Sequence, residues 1–106
     1  MENNSKILNR IIEAVSKTSP ESEIYLYGSR ARGDSTKLSD WDLLILLNSD
    51  HVSFTQETTI LDNLFDVELE LDEVISPIVY SKQEWVNKYE ITPLFENIAK
   101  EGVRIK

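Results

Sequence analysis

Residues 28–43 read GSRARGDSTKLSDWDL, and what flanks this stretch decides the fold. Before it runs Ile24-Tyr25-Leu26-Tyr27, a short apolar segment that reads as the core of a strand over 23–27, stopped by Gly28. At its far end Asp40 and Asp42 lead into Leu43-Leu44-Ile45-Leu46-Leu47, a second strand over 41–47 with nearly every position apolar. Such a run belongs to a strand buried on both faces. Side chains at i and i+2 of a strand share a face, so Asp40 and Asp42 stand side by side at its mouth while Trp41 points the other way, toward a helix. Two neighbouring carboxylates repel unless a positive charge lies between them. A hard cation such as Mg²⁺, held by one or two carboxylates plus substrate phosphates, meets that need. The Gly28-Ser29 turn offers backbone N–H groups and a hydroxyl that can face a phosphate.

Upstream, residues 5–18 read as a helix, with Ile7, Leu8, Ile11, Ile12 and Val15 at helical spacing, Asn4 or Ser5 as N-cap and Pro20 closing it. A short helix begins at 29, and Gly33 with the polar residues 34–39 forms a loop. Ser53-Phe54-Thr55-Gln56 matches a capping box. It opens a helix to about residue 70 whose buried stripe is expected to hold Phe54, Ile60, Leu61 and Leu64, with Phe65 and Leu71 as further candidates. The end is ambiguous, because 65–72 alternates with the period of a strand. A third strand is expected over 74–80, with Pro77 marking an edge or a bulge. Ser81-Lys82-Gln83-Glu84 opens a short helix carrying Trp85 and Tyr89. Thr92-Pro93 starts a last one with Leu94, Phe95 and Ile98 buried and Gly102 as C-cap. The sum is an α/β (α+β) fold: a small mixed sheet of about three strands with helices packed on one side, in a single domain over 1–106.

Composition narrows the partners. The 106 residues are 41% hydrophobic and 28% charged, which describes an ordinary globular chain. No apolar run approaches a membrane span, and the start shows no secretory pattern. Zero cysteines excludes disulfides and thiolate metal sites and fits a cytoplasmic protein. The lone His51 reads as a loop residue and makes a zinc site unattractive. With 19 acids against 11 bases and a net charge of −8, the basic stripe that grips a polynucleotide is missing. Arg30, Arg32 and Lys37 suffice for one triphosphate. No Gly-Lys-Ser/Thr ending exists, which excludes a P-loop, and Arg32-Gly33-Asp34 is a coincidental tripeptide. Tyr25, Tyr27, Tyr80 and Tyr89 read as core or interface.

Gly28-Ser29 followed by Asp40-x-Asp42 on the next strand resembles the signature of the polymerase-beta-like nucleotidyltransferase superfamily, and within it the minimal nucleotidyltransferases. The GSRARG and SDWDL wording is similar to that minimal branch. The resemblance implies a nucleotidyltransferase fold, with Asp40 and Asp42 as catalytic, Mg²⁺-ligating residues. It also implies that Gly28 and Ser29 hold the terminal phosphates of a nucleotide, with Arg30 and Arg32 adding charge-assisted contacts. The expected reaction is transfer of a nucleoside monophosphate, AMP from Mg·ATP, to a hydroxyl of a partner protein. The usual partner in that branch is a small helical HEPN-domain toxin, with the minimal nucleotidyltransferase as antitoxin. A chain of this length is expected to recognise an acceptor through its partner or through oligomerisation, and no stable nucleic-acid or membrane binding is expected.

Active relatives in that superfamily carry a third carboxylate on a neighbouring strand, as general base for the acceptor hydroxyl. Here the expected third strand has no acid in its interior, and alignment puts Ser76 in that place. Asp72 and Glu73 lie just before it. If 66–72 were instead a strand, Asp66, Glu68, Glu70 and Asp72 would share one face; otherwise this acidic run is a solvated surface. Two other readings therefore stand: a catalytically impaired module of the same fold that neutralises a partner by binding, and a small-molecule nucleotidyltransferase of the antibiotic-modifying kind.

Overall fold

The computed structural model describes residues 2–106, with side chains from Asn4 onward. The elements run α1 Glu2–Ser16, β1 Glu23–Tyr27, α2 Ser29–Arg32, β2 Trp41–Leu47, α3 Phe54–Leu71, β3 Ile75–Ser81, α4 Lys82–Lys88, α5 Pro93–Glu101 and β4 Val103–Arg104. The first helix starts earlier than its sequence suggests, so Asn4 and Ser5 lie inside it rather than capping it. The strands form one sheet in the order β3-β2-β1-β4, with β1 antiparallel to both neighbours and β2 parallel to β3. The sheet is mixed, as expected, with one strand more. Pro77 sits on the edge strand β3, where its missing N–H costs no ladder bond toward solvent.

Alternation along the strands splits the molecule into two cores. Ile24, Leu26, Trp41, Leu43, Ile45, Leu47, Ile75 and Val79 face α1 and α3. Helix α1 meets them with Ile7, Ile11, Ala14 and Val15, and α3 with Ile60, Leu64 and Val67, each at i, i+4, i+7 spacing. The opposite face carries Leu44, Leu46 and Ile78, which pack under Trp85 of α4 and Ile98 of α5. Helices therefore cover both sides, not one, which is why β2 is apolar at almost every position. Trp85 stacks on Tyr80 at a centroid distance of 5.4 Å and meets Phe95 at 5.1 Å, so this smaller core is largely aromatic. None of the described helices is long and apolar enough to cross a membrane.

The ambiguous run 65–72 is helical to Leu71. Phe54 and Phe65 are exposed, against expectation, and Val67 takes a place in the stripe. Phe65 follows Leu64 by one residue, about 100° around the helix, and so turns away from the core. The helical path also separates the four acids that a strand would have aligned. Glu70 receives two hydrogen bonds from Arg10 of α1, at 3.0 and 2.6 Å, while Glu68 accepts the N–H of Ile75 at 3.2 Å. Asp72 ends the helix in the left-handed conformation.

Candidate functional site

Asp42 is the second residue of β2, between Tyr27 of β1 and Ser76 of β3 in register. All three belong to the face that carries α4 and α5. Gly28 follows Tyr27 directly and turns the chain at φ +75° into α2. A Cβ placed there would meet Asp42, within 3.2 Å of its Cγ and closer still to Oδ2. Glycine is therefore required twice over, for the backbone angle and for the approach of the carboxylate. Gly28→Ala is expected to lower stability by about 1–3 kcal/mol, the range for a strained non-glycine backbone. Gly33→Ala, at φ +84° but facing open space, should cost less. Thermal melts of the two variants side by side check the difference.

Asp40 is exposed at the end of the 33–40 loop, and its Oδ2 accepts the Ser76 hydroxyl at 2.9 Å. Ser76 thus stands beside both aspartates, opposite one in register and bonded to the other. Burial pushes the Asp42 carboxyl above the usual carboxylate range; the negative charges of Asp40 and Glu101 add to this, and Arg32 opposes it. The two carboxylates are therefore a concentration of negative charge that Arg32 offsets only in part, with Asp42 half-buried and Asp40 exposed. Two carboxylates are a donor set for a hard cation that takes its remaining ligands from phosphates and water. Among the described residues no third His, Cys, Asp or Glu completes a cluster with them. The set suits a cation that arrives with a phosphate ligand better than one caged by protein alone.

The two arginines part company. Arg32 is exposed and directs its guanidinium to Glu101 at 3.2 Å and to Asp34 at 3.3 Å. Arg30 lies on the side of Trp41, its Cζ 4.4 Å above the indole ring, and its Nη2 donates to Ser39 O at 2.9 Å. Its Nε is buried without a partner. Arg30 thus ties α2 to the loop that delivers Asp40 rather than joining Gly28 and Asp42. Glu73 is engaged in the same cluster: it accepts Trp41 Nε1 at 2.7 Å and lies 3.7 Å from Arg30. Neither Glu73 nor Asp72 joins the two aspartates in a ligand cluster. The acid that does reach this neighbourhood is Glu101, at the end of α5, whose Oε1 accepts the Gly28 N–H at 3.2 Å. Nothing in the sequence signals it, since 73 residues separate the two and only the packing of α5 and β4 brings them together.

Two carboxylates on either side of the first residue of a strand, beside a glycine turn that ends its antiparallel neighbour, define the class: a small α/β domain with a polar site at the strand ends. The sequence matches the model of the nucleotidyltransferase domain family over residues 8–105, and the chain belongs to that family. No curated protein matches it by sequence. Solved structures that share the fold include three toxin-antitoxin proteins. One is a toxin-antitoxin with AMP-PNP, at 20% identity and a TM-score of 0.67 over 93% of this chain and 72% of that one. Another is an MntA-HpeT toxin-antitoxin in which two aspartates are replaced by glutamate, at 17% identity and 0.65 over 93% and 71%. The third is an MntA-HpeT toxin-antitoxin with a tyrosine replaced by alanine, at 21% identity and 0.59 over 91% and 68%.

Proposed function

We propose that this chain is a minimal nucleotidyltransferase that transfers AMP from Mg·ATP to a hydroxyl of a partner protein, as the antitoxin of a helical HEPN-type toxin. The observation that carries the reading is the contact between the Gly28 turn and Asp42, with Asp40 alongside. A docking module has no evident physical need to hold two half-compensated carboxylates against a glycine turn. The similar structures are toxin-antitoxin proteins, one of them with AMP-PNP, which supports both the nucleotide and the partner.

In this reading Asp40 and Asp42 hold the cation, Gly28 N–H and the Ser29 hydroxyl take the terminal phosphates, and Arg32 adds charge beside them. Arg30 positions the Asp40 loop through Trp41 and Ser39. Mg²⁺, when bound with the triphosphate, supplies positive charge at the α-phosphate and the pyrophosphate leaving group. The acceptor oxygen forms a bond to the α-phosphorus as the bond to the β-phosphate bridging oxygen breaks, and pyrophosphate leaves with the electron pair. The acceptor hydroxyl must also lose its proton. Ser76 is no base at neutral pH, so the side chain opposite Asp42 does not take that proton.

That feature favours a second reading, in which the chain neutralises its partner by binding alone. Incubation with α-labelled ATP, Mg²⁺ and the helical partner separates the two. Label on the partner supports the transferase. A stable complex that silences the partner without any label would leave the binding module. Label on small acceptors in the absence of a partner would point to the antibiotic-modifying kind instead.

A further inference from the structure

The Gly28 turn already holds an anionic group, the protein's own Glu101 carboxylate. Glu101 Oε1 accepts the Gly28 N–H at 3.2 Å, and Arg32 Nη1 donates to Oε1 at 3.3 Å and Oε2 at 3.2 Å. A backbone N–H and a guanidinium converging on two anionic oxygens are the donors a phosphate would use. The side chain is only about a quarter exposed, at 25%. Its placement is built in at the backbone. Gly102 follows, with its N–H on Ile98 O at 2.7 Å and no room for a Cβ, which would lie 2.5 Å from that oxygen. Then β4 pairs Val103 with Leu26 and Arg104 with Tyr25, two residues or so ahead of Gly28 on β1. The C-terminal strap thus delivers one carboxylate to the turn on which the proposed reaction depends.

We infer that Glu101 is an internal phosphate mimic that competes with the nucleotide for Gly28 N–H and Arg32, so that nucleotide binding displaces it. The inference rests on the nucleotide-binding reading of the Gly28 turn and adds a regulation of that site. A protein whose binding-competent state is only partly populated shows an affinity lowered by that fraction. Anything that lifts the strap, such as a partner docking against α5 or β4, would then raise affinity for ATP without touching it.

Two variants separate displacement from simple repulsion. Glu101→Gln keeps the shape and removes the charge; Glu101→Asp keeps the charge but withdraws it by one methylene from both donors. Isothermal titration of Mg·ATP, and of inorganic tripolyphosphate with Mg²⁺, is compared with wild type, and the Gly28 amide resonance is followed in parallel. Displacement predicts tighter binding to both variants, by about 5- to 20-fold for Glu101→Gln, given the strength of a partly exposed charge-assisted contact. It also predicts that the Gly28 amide of ligand-free Glu101→Asp moves away from its wild-type position. Weaker or unchanged binding to folded Glu101→Gln would make Glu101 a buttress of the turn and overturn the proposal. Tighter binding to Glu101→Gln with wild-type binding to Glu101→Asp would reduce it to long-range repulsion. Absence of binding to wild type and both variants would remove the nucleotide reading itself, a result distinct from either.

Discussion

Asp42→Asn is expected to reduce AMP transfer by about 10²- to 10³-fold, the cost of removing one group aimed at charge developing in a transition state. The same substitution is expected to raise the melting temperature of the ligand-free protein. Both effects come from one cause. Burial, with Asp40 and Glu101 nearby, holds the Asp42 carboxyl above its ordinary range, and Arg32 offsets only part of this. A carboxyl whose folded value is raised makes folding most favourable below the unfolded range. That contribution is lost as pH rises through the raised folded value, so at neutral pH the ionised side chain opposes folding. Asparagine keeps the shape and removes the charge. Glu23 beside Lys82 and Glu70 beside Arg10 are held below the usual range and contribute the opposite slope, so the Asp42 contribution is read as a difference: the stability gained by Asp42→Asn over wild type should grow as pH rises through and above the usual carboxylate range. Melts across pH beside a labelled-ATP assay test both halves. Unchanged turnover in a folded Asp42→Asn protein would sink the assignment of Asp42 to the cation.

Ser76→Asp is expected to act in the opposite direction and to raise transfer by about 10²- to 10⁴-fold, the usual range for a positioned general base. Ser76 is opposite Asp42 in the parallel ladder and bonded through its hydroxyl to Asp40, so an aspartate there would stand beside both acids. The resemblance to active nucleotidyltransferases implies a carboxylate at this position. Without Mg²⁺ the third charge should lower the melting temperature, because three neighbouring carboxylates repel more than two and the Ser76 hydroxyl bond is lost. With Mg²⁺ and nucleotide the loss should be recovered, so the variant's stability becomes cation-dependent to a degree the wild type's is not. Faster labelling with a cation-dependent melt would show that the scaffold is competent and that the serine sets the rate. No gain in labelling from a folded variant would mean that the acceptor's proton is removed by some other group, or that the chain works by binding.

How far the chain can be read without its structure depends on the range of the interactions involved. The strands over 23–27 and 41–47, the Gly28 turn, the capping box at Ser53 and the N-cap at Thr92 all rest on contacts within a few residues. Their patterns survive in one dimension, and the structure reproduces them. The register that sets Ser76 opposite Asp42 was not legible in this way, because it comes from the parallel pairing of β3 with β2, which buries Ile75 and Val79 on one face. The different surroundings of Arg30 and Arg32 were not legible. Both are basic residues on the same short helix, and two positions of difference decide that one lies on Trp41 while the other meets Glu101.

Interactions between neighbouring residues suffice for the α/β character, the glycine turn and the pair of aspartates, because backbone angles and strand alternation act over a few positions. Tertiary structure decided the rest. It placed α4 and α5 on the second face of the sheet, settled the ambiguous run 65–72 as the expected helix, with Val67 buried and Glu70 paired to Arg10, and added β4. A two-residue strand carries no periodicity that could announce it, and its partner lies on β1, far off in sequence. Glu101 reaches Gly28 through that same long-range pairing, so its contact with the glycine turn exists only once the chain has closed on itself.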